Sequence, residues 1–200
     1  MTVIIKDGTG TGAAVKVSSD NMLSTTAVTE TQQEHAITAG DGYNLASGRL
    51  PLTSTDESAI FYVENTETAD LVINSVFINT SNSAGTLVGA QPTFRVYRNP
   101  TGGTIVSDAT DVLTISNNNF GSRQTLSANI YQGGEGKTLT GQTSIIDIPI
   151  PTRAAVTFIE FTIKIVLPKG ASFGITYQPE TGSTGLDVIA GVTAILVQGE

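Results

Sequence analysis

Hydrophobic positions along this chain alternate with a period of two in its second half and show no sustained periodicity in its first quarter. The clearest segment is Val156 to Leu167. Ile159, Phe161, Ile163, Ile165 and Leu167 fall on one side and Phe158, Glu160, Thr162 and Lys164 on the other, which predicts a long strand. Pro168-Lys169-Gly170 ends it, and Ser172 to Tyr177 resumes as a shorter strand. The run Asp187 to Gln198 is mostly apolar and β-branched, with small Ala190, Gly191 and Ala194. It predicts a central strand buried on both faces, although a short apolar run of this kind also admits helix.

Upstream, Ala59 to Val63 and Leu71 to Ile78 flank a polar connection, Glu64 to Asp70, and are expected to pair as antiparallel neighbours. Thr93 to Arg98 precedes Asn99-Pro100-Thr101-Gly102-Gly103, a turn signal, after which Thr104-Ile105-Val106 is expected to return as a strand. Arg123 to Tyr131 and Ser144 to Ile150 are weaker strands, the second carrying Pro149 and therefore suited to a sheet edge. No segment predicts a helix. About eight strands separated by Gly, Pro and Asn turns give an all-β fold, a β-sandwich and most simply a jelly roll.

Residues 1–50 differ. From Lys6-Asp7-Gly8-Thr9-Gly10-Thr11-Gly12 through Ser18-Ser19-Asp20-Asn21 to Gly40-Asp41-Gly42-Tyr43-Asn44 they are rich in glycine and polar residues, with little to bury. The expected organisation is an extended N-terminal arm over 1–50 that orders on a partner, and a sandwich body over 51–200.

Composition supports the all-β reading and narrows the function. Charged residues make up 14% of the 200 residues, so the surface falls to Thr, Ser, Asn, Gln and Gly, with threonine suited to the outer face of a sheet. A net charge of −8 with only 10 Lys and Arg argues against nucleic acid as a partner. The first residues do not read as a signal peptide, and no apolar run reaches the roughly 20 residues of a membrane span, so a membrane partner is not expected either. Zero cysteines remove disulfides, thiol catalysis and thiolate metal sites.

The residues that could carry chemistry do not form a recognisable set. The single histidine, His35, lies in the arm, where it suits a docking contact better than general acid–base work. Gly133-Gly134-Glu135-Gly136-Lys137-Thr138 ends like a phosphate-binding loop, but Tyr131 stands where the first glycine is needed and no helix follows; a flexible loop tip is expected. Asp108 with Asp111 and Asp56 with Glu57 are the closest carboxylate pairs, and neither has the spacing of a calcium loop. No metal or cofactor is expected. A sugar-stacking platform would fall to Tyr43, Tyr62, Tyr97, Tyr131 or Tyr177, which are spread along the chain.

The arm carries a family likeness. Lys6-Asp7-Gly8-x-Gly10-x-Gly12, Ala14-Val15-Lys16-Val17, Asn21-x-Leu23, Ala27-Val28-Thr29-Glu30, His35-Ala36 and Gly40-Asp41-Gly42-Tyr43-Asn44 resemble the opening of virion structural proteins of tailed bacteriophages, the head decoration, cement or head-fibre proteins. In the body, Val96 to Val106, Asn119-Phe120-Gly121-Ser122 and Val166-Leu167-Pro168-Lys169-Gly170 resemble the same group. The resemblance implies a protein without enzymatic activity, assembled in the host cytoplasm onto the outside of the capsid, often as a homotrimer, and clamping neighbouring copies of the major capsid protein. Lys6, Gly8, Gly10, Gly12, Lys16, His35, Tyr43 and Arg49 are then the expected capsid or subunit contacts, with Lys6, Lys16 and Arg49 facing capsid carboxylates. The alternative is a tail-fibre or receptor-binding module that recognises cell-surface glycans through its loops.

Overall fold

The computed structural model describes residues 31–53, 56–82, 92–107, 111–113, 115–150, 156–179 and 186–197. Among these residues, eleven strands and two short helices follow in the order α1 (Gln32–Ala39), β1 (Gly42–Ala46), β2 (Leu50–Leu52), β3 (Ser58–Asn65), β4 (Asp70–Asn82), β5 (Thr93–Arg98), α2 (Thr104–Ser107), β6 (Ser116–Asn117), β7 (Ala128–Gln132), β8 (Thr143–Pro149), β9 (Val156–Leu167), β10 (Ser172–Gln178) and β11 (Leu186–Val197).

The strands form two antiparallel sheets, so the chain is an all-β sandwich. One sheet runs β6-β1-β11-β4-β9, with β2 also on β11; the other runs β7-β3-β10-β5-β8. The pairing is nested. β5 pairs with β8, β4 with β9, β3 with β10 and β1 with β11, as though one long hairpin had been rolled up. Leu45, Phe61, Val63, Ile73, Val76, Ile78, Phe94, Val96, Phe173, Ile175, Tyr177 and Val192 fill the space between the sheets. Phe94 of one sheet meets Phe161 of the other edge-to-face, with ring centroids 6.0 Å apart. β11 is central and buried on both faces along most of its length, as its unbroken apolar sequence requires.

Three local expectations change. β3 and β4 lie in different sheets, because the Glu64 to Asp70 connection crosses the sandwich instead of closing a hairpin. Asn65 makes that crossing: it is fully buried, its side-chain amide donates to the carbonyls of Ala69 and Leu167, both at 2.8 Å, and its Oδ1 accepts from Glu67 N. Thr104 to Ser107 is a helical turn that puts Ile105 onto the outer face of the second sheet, beside Ala59, Tyr62, Tyr97 and Leu139. Of the weak segment Arg123 to Tyr131, only the part from Ala128 is strand.

The expected arm also shortens. α1 and β1 fall before the proposed boundary at residue 50 and β2 starts on it, yet they belong to the body: Ala36 of α1 packs with Val72 and Ile195, and β1 pairs along Gly42 to Ala46 with Gly191 to Ile195. The division falls between Thr31 and Gln32. Lys6, Gly8, Gly10, Gly12 and Lys16 lie outside the described residues.

Candidate interaction surface

Tyr43 is a core residue, 1% exposed, with its hydroxyl buried and unpartnered; burial, then Asp41 and Glu67, push its pKa up. It is therefore not presented to a partner, which corrects its assignment as a contact. Its place on β1, between two neighbouring strands, explains why. Arg49, expected to meet a carboxylate of the capsid, ion-pairs instead with the buried Asp187 of its own chain, and that contact favours the charged guanidinium. His35 is exposed on α1.

The polar clusters of the second sheet are closed by their own partners. Glu57 sits on the outer face, where Oε1 accepts from Tyr97 at 2.9 Å and from the Thr176 hydroxyl, and Oε2 lies 2.9 Å from Arg95. Arg95 also reaches Asp147 at 3.3 Å and Gln178 at 3.0 Å. Burial, then the Glu57 contact, push the Tyr97 hydroxyl up to about 12. The unfolded phenol titrates near 10, so this group's contribution to stability is complete below pH 10 and is lost as pH rises toward 12. Thermal melts between pH 9 and 12 should show that decline, and Tyr97→Phe should make it shallower.

The Gly133 to Thr138 loop is a packed corner rather than a flexible tip. A side chain on Gly133 would stand 1.7 Å from the Ala59 carbonyl, Gly136 N donates to Ser58 Oγ at 3.1 Å, and Lys137 pairs with Asp111 at 2.7 Å. Leu139 follows into the outer apolar cluster, so no helix faces a phosphate. Asp108 lies outside the described residues, and no group of three or more metal-ligating side chains gathers among the described ones.

Two surface features remain. Tyr62 and Tyr131, far apart in sequence, are cross-strand partners with ring centroids 5.9 Å apart. With Glu64, Asn99, Thr101 and Ser172 they line a cleft of about 430 Å³.

The second feature is the distribution of exposed apolar side chains. The large ones among the described residues are Val112 (58% exposed), Phe120 (99%), Ile145 (44%), Phe158 (59%) and Val166 (47%). All lie on or beside terminal strands of the two sheets, Phe158 and Val166 on the outer face, where Phe158 stacks on Phe77 of β4. Ile145, Phe158 and Val166 belong to β8 and β9, the terminal strands at one side. Phe120 follows β6, and Val112 bridges to β7, the terminal strands at the other.

Phe120 is held out on a built turn. Asn119 Oδ1 accepts from Gly121 N at 3.0 Å and Asn117 Oδ1 from Asn119 N at 2.8 Å, a pair of local side-chain turns. Asn117, Asn119 and Gln124 donate to the carbonyls of Gly40, Thr38 and Ala39, tying the turn to the C-terminal end of α1. The family resemblance includes Asn119 to Ser122 only as a short motif; the exposure of Phe120 comes from the fold.

No family model matches the chain, and no curated protein matches it. Among solved structures it is similar to a chain of the cryo-EM atomic structure of broad bean stain virus, at 11% identity over 88% of this chain and 97% of that one, with a TM-score of 0.27. At that level the likeness decides neither fold nor function.

Proposed function

We propose that this protein is a virion structural protein that decorates the outside of a phage capsid and steadies neighbouring major capsid proteins, without catalytic turnover. What supports the reading is that the large exposed apolar side chains gather on or beside the terminal strands of both sheets. A body of this kind offers edges for protein contacts, while its polar clusters are occupied by one another. The nested strand pairing, which we read as a jelly roll, is an architecture used by viral coat and lectin domains and agrees with this role. The segment before Thr31 carries part of the family resemblance and is the proposed anchor.

Phe120 is the contact on the body that this reading selects, because an exposed aromatic on a fixed turn loses little entropy when a partner covers it. Phe120→Ala should weaken binding to decoration-free expanded heads by about 30-fold, roughly 2 kcal/mol, with unchanged thermal stability. Undiminished binding by this variant, measured by co-sedimentation, would remove Phe120 from the interface.

The Tyr62–Tyr131 cleft favours a second reading, a glycan-recognising module of a tail fibre. Two aromatic rings beside a carboxylate and an amide are groups that bind sugars. A glycan array separates the two: specific sugar binding abolished by Tyr131→Ala supports the fibre, whereas a blank array with head binding supports decoration.

A further inference from the structure

β9 ends its sheet among the described residues, and it is an unusual edge. It is twelve residues long, has no proline and a single lysine, and so lacks most devices that keep edge strands from pairing. Its pairing with β4 shifts register between Ile73 and Ser75, yet its own in–out alternation continues through to Val166. Ile159, Phe161, Ile163 and Ile165, which face the core, are only partly buried. Beside them a groove of about 340 Å³, lined by Ile145, Ile165, Leu167 and Phe173, opens between the terminal strands. This side of the core is left without a cover among the described residues.

The sequence of β9 says what fits there. Placed antiparallel to itself about Thr162, the outer face reads Phe158 against Val166, Glu160 against Lys164, and Thr162 against Thr162. The inner face reads Ile159 against Ile165 and Phe161 against Ile163. Each apolar residue meets an apolar residue and each charge meets its opposite, twice over by symmetry. Shifting the register by two residues in either direction breaks the Glu–Lys matches, and a shift by one exchanges the two faces.

We infer that a second copy of this chain occupies the β9 edge, the two strands pairing antiparallel about a two-fold axis at Thr162 so that the sheets of both copies become one. The contact is isologous, as a self-complementary patch requires, and it differs from the threefold arrangement that the family resemblance implies. Main-chain hydrogen bonds supply affinity, and the face-by-face match fixes register. β8 is the less suitable edge, being shorter and ending in Pro149. The inference rests on the strand itself and stands or falls separately from capsid binding.

Charge exchange tests it on the full-length protein by sedimentation equilibrium or native mass spectrometry. Wild type should be a dimer. Lys164→Glu or Glu160→Lys should each place like charges opposite one another at two positions and weaken the dimer by about tenfold or more. The double variant E160K/K164E should restore it, a rescue that misfolding would not give. Because the chain has no cysteine, Thr162→Cys should form an intermolecular disulfide on mild oxidation, whereas Phe158→Cys, facing Val166, should not. A wild-type monomer at tens of micromolar, or an oligomer that is indifferent to the charge exchange and does not crosslink through the Thr162→Cys thiol, would overturn the proposal. Failure of head binding with an intact dimer would instead count against the decoration reading alone.

Discussion

Replacing Asn65 by alanine is expected to destabilise the body by about 3 kcal/mol, among the largest effects of any single side chain here. The residue is fully buried where the chain leaves one sheet for the other, and its amide satisfies two carbonyls, those of Ala69 and Leu167. Its backbone is also engaged, with N donating to Ala171 O at 3.0 Å and O accepting from Gly170 N at 2.8 Å. Alanine would strand both carbonyls away from water and leave a small void, so the cost exceeds that of one hydrogen bond. Asp would keep the shape but bring a charge and lose both donors, and should be as damaging. Urea unfolding followed by far-UV circular dichroism measures the difference. A loss below about 1 kcal/mol would show that the crossing is held by its apolar neighbours alone.

Removing residues 1–30 should leave the sandwich folded and reduce binding to expanded heads by about 100-fold or more, near 3 kcal/mol. The cut belongs before α1, because Ala36 packs with Val72 and Ile195 and the helix end is bonded to the Phe120 turn. A longer deletion through residue 41 should additionally lower stability, by exposing Val72 and Ile195 and removing the Gly40 and Thr38 carbonyls to which Asn117 and Asn119 donate, Asn117 keeping only its bond to Gln124 O. Comparing the two truncations by thermal melt and head co-sedimentation separates anchoring from folding. Full binding by the shorter truncation would take the N-terminal segment out of the mechanism.

The strands were legible wherever side-chain pattern and burial coincide. β9 alternates in the sequence and alternates in the sandwich, and β11 reads as an apolar run because neighbours and both faces cover it. The connections were not legible. Glu64 to Asp70 has the polarity of a hairpin loop, and only the buried amide of Asn65 distinguishes a crossing between sheets, which no local pattern encodes. Ile105 and Val106 carry β-branched side chains, yet their turn is helical because Ile105 gains a place in the outer cluster.

α1 left a readable signal. Thr31-Gln32-Gln33-Glu34 has the spacing of a capping box, and Gly40, at φ 90°, closes the helix with its amide on Ile37 O and that of Asp41 on Ala36 O. Weak amphipathicity over so short a span hid it. The candidate surfaces show the same division. Glu160 and Lys164 were visible as members of the outward face, but that this strand stands at a sheet edge, and that Tyr62 meets Tyr131, depend on strand order. Exposure of Phe120 likewise follows from the turn that carries it, since nothing in Asn119 to Ser122 says which way the ring points.

Cryo-EM of decoration-free expanded heads incubated with the purified protein is the most direct test of the proposed capsid role. Sandwich-shaped density is expected on the outer surface of the head, with the Phe120 side against the shell and the segment before Thr31 running across neighbouring major capsid proteins. A head surface without that density, at protein concentrations that saturate binding elsewhere, would rule out decoration of the capsid.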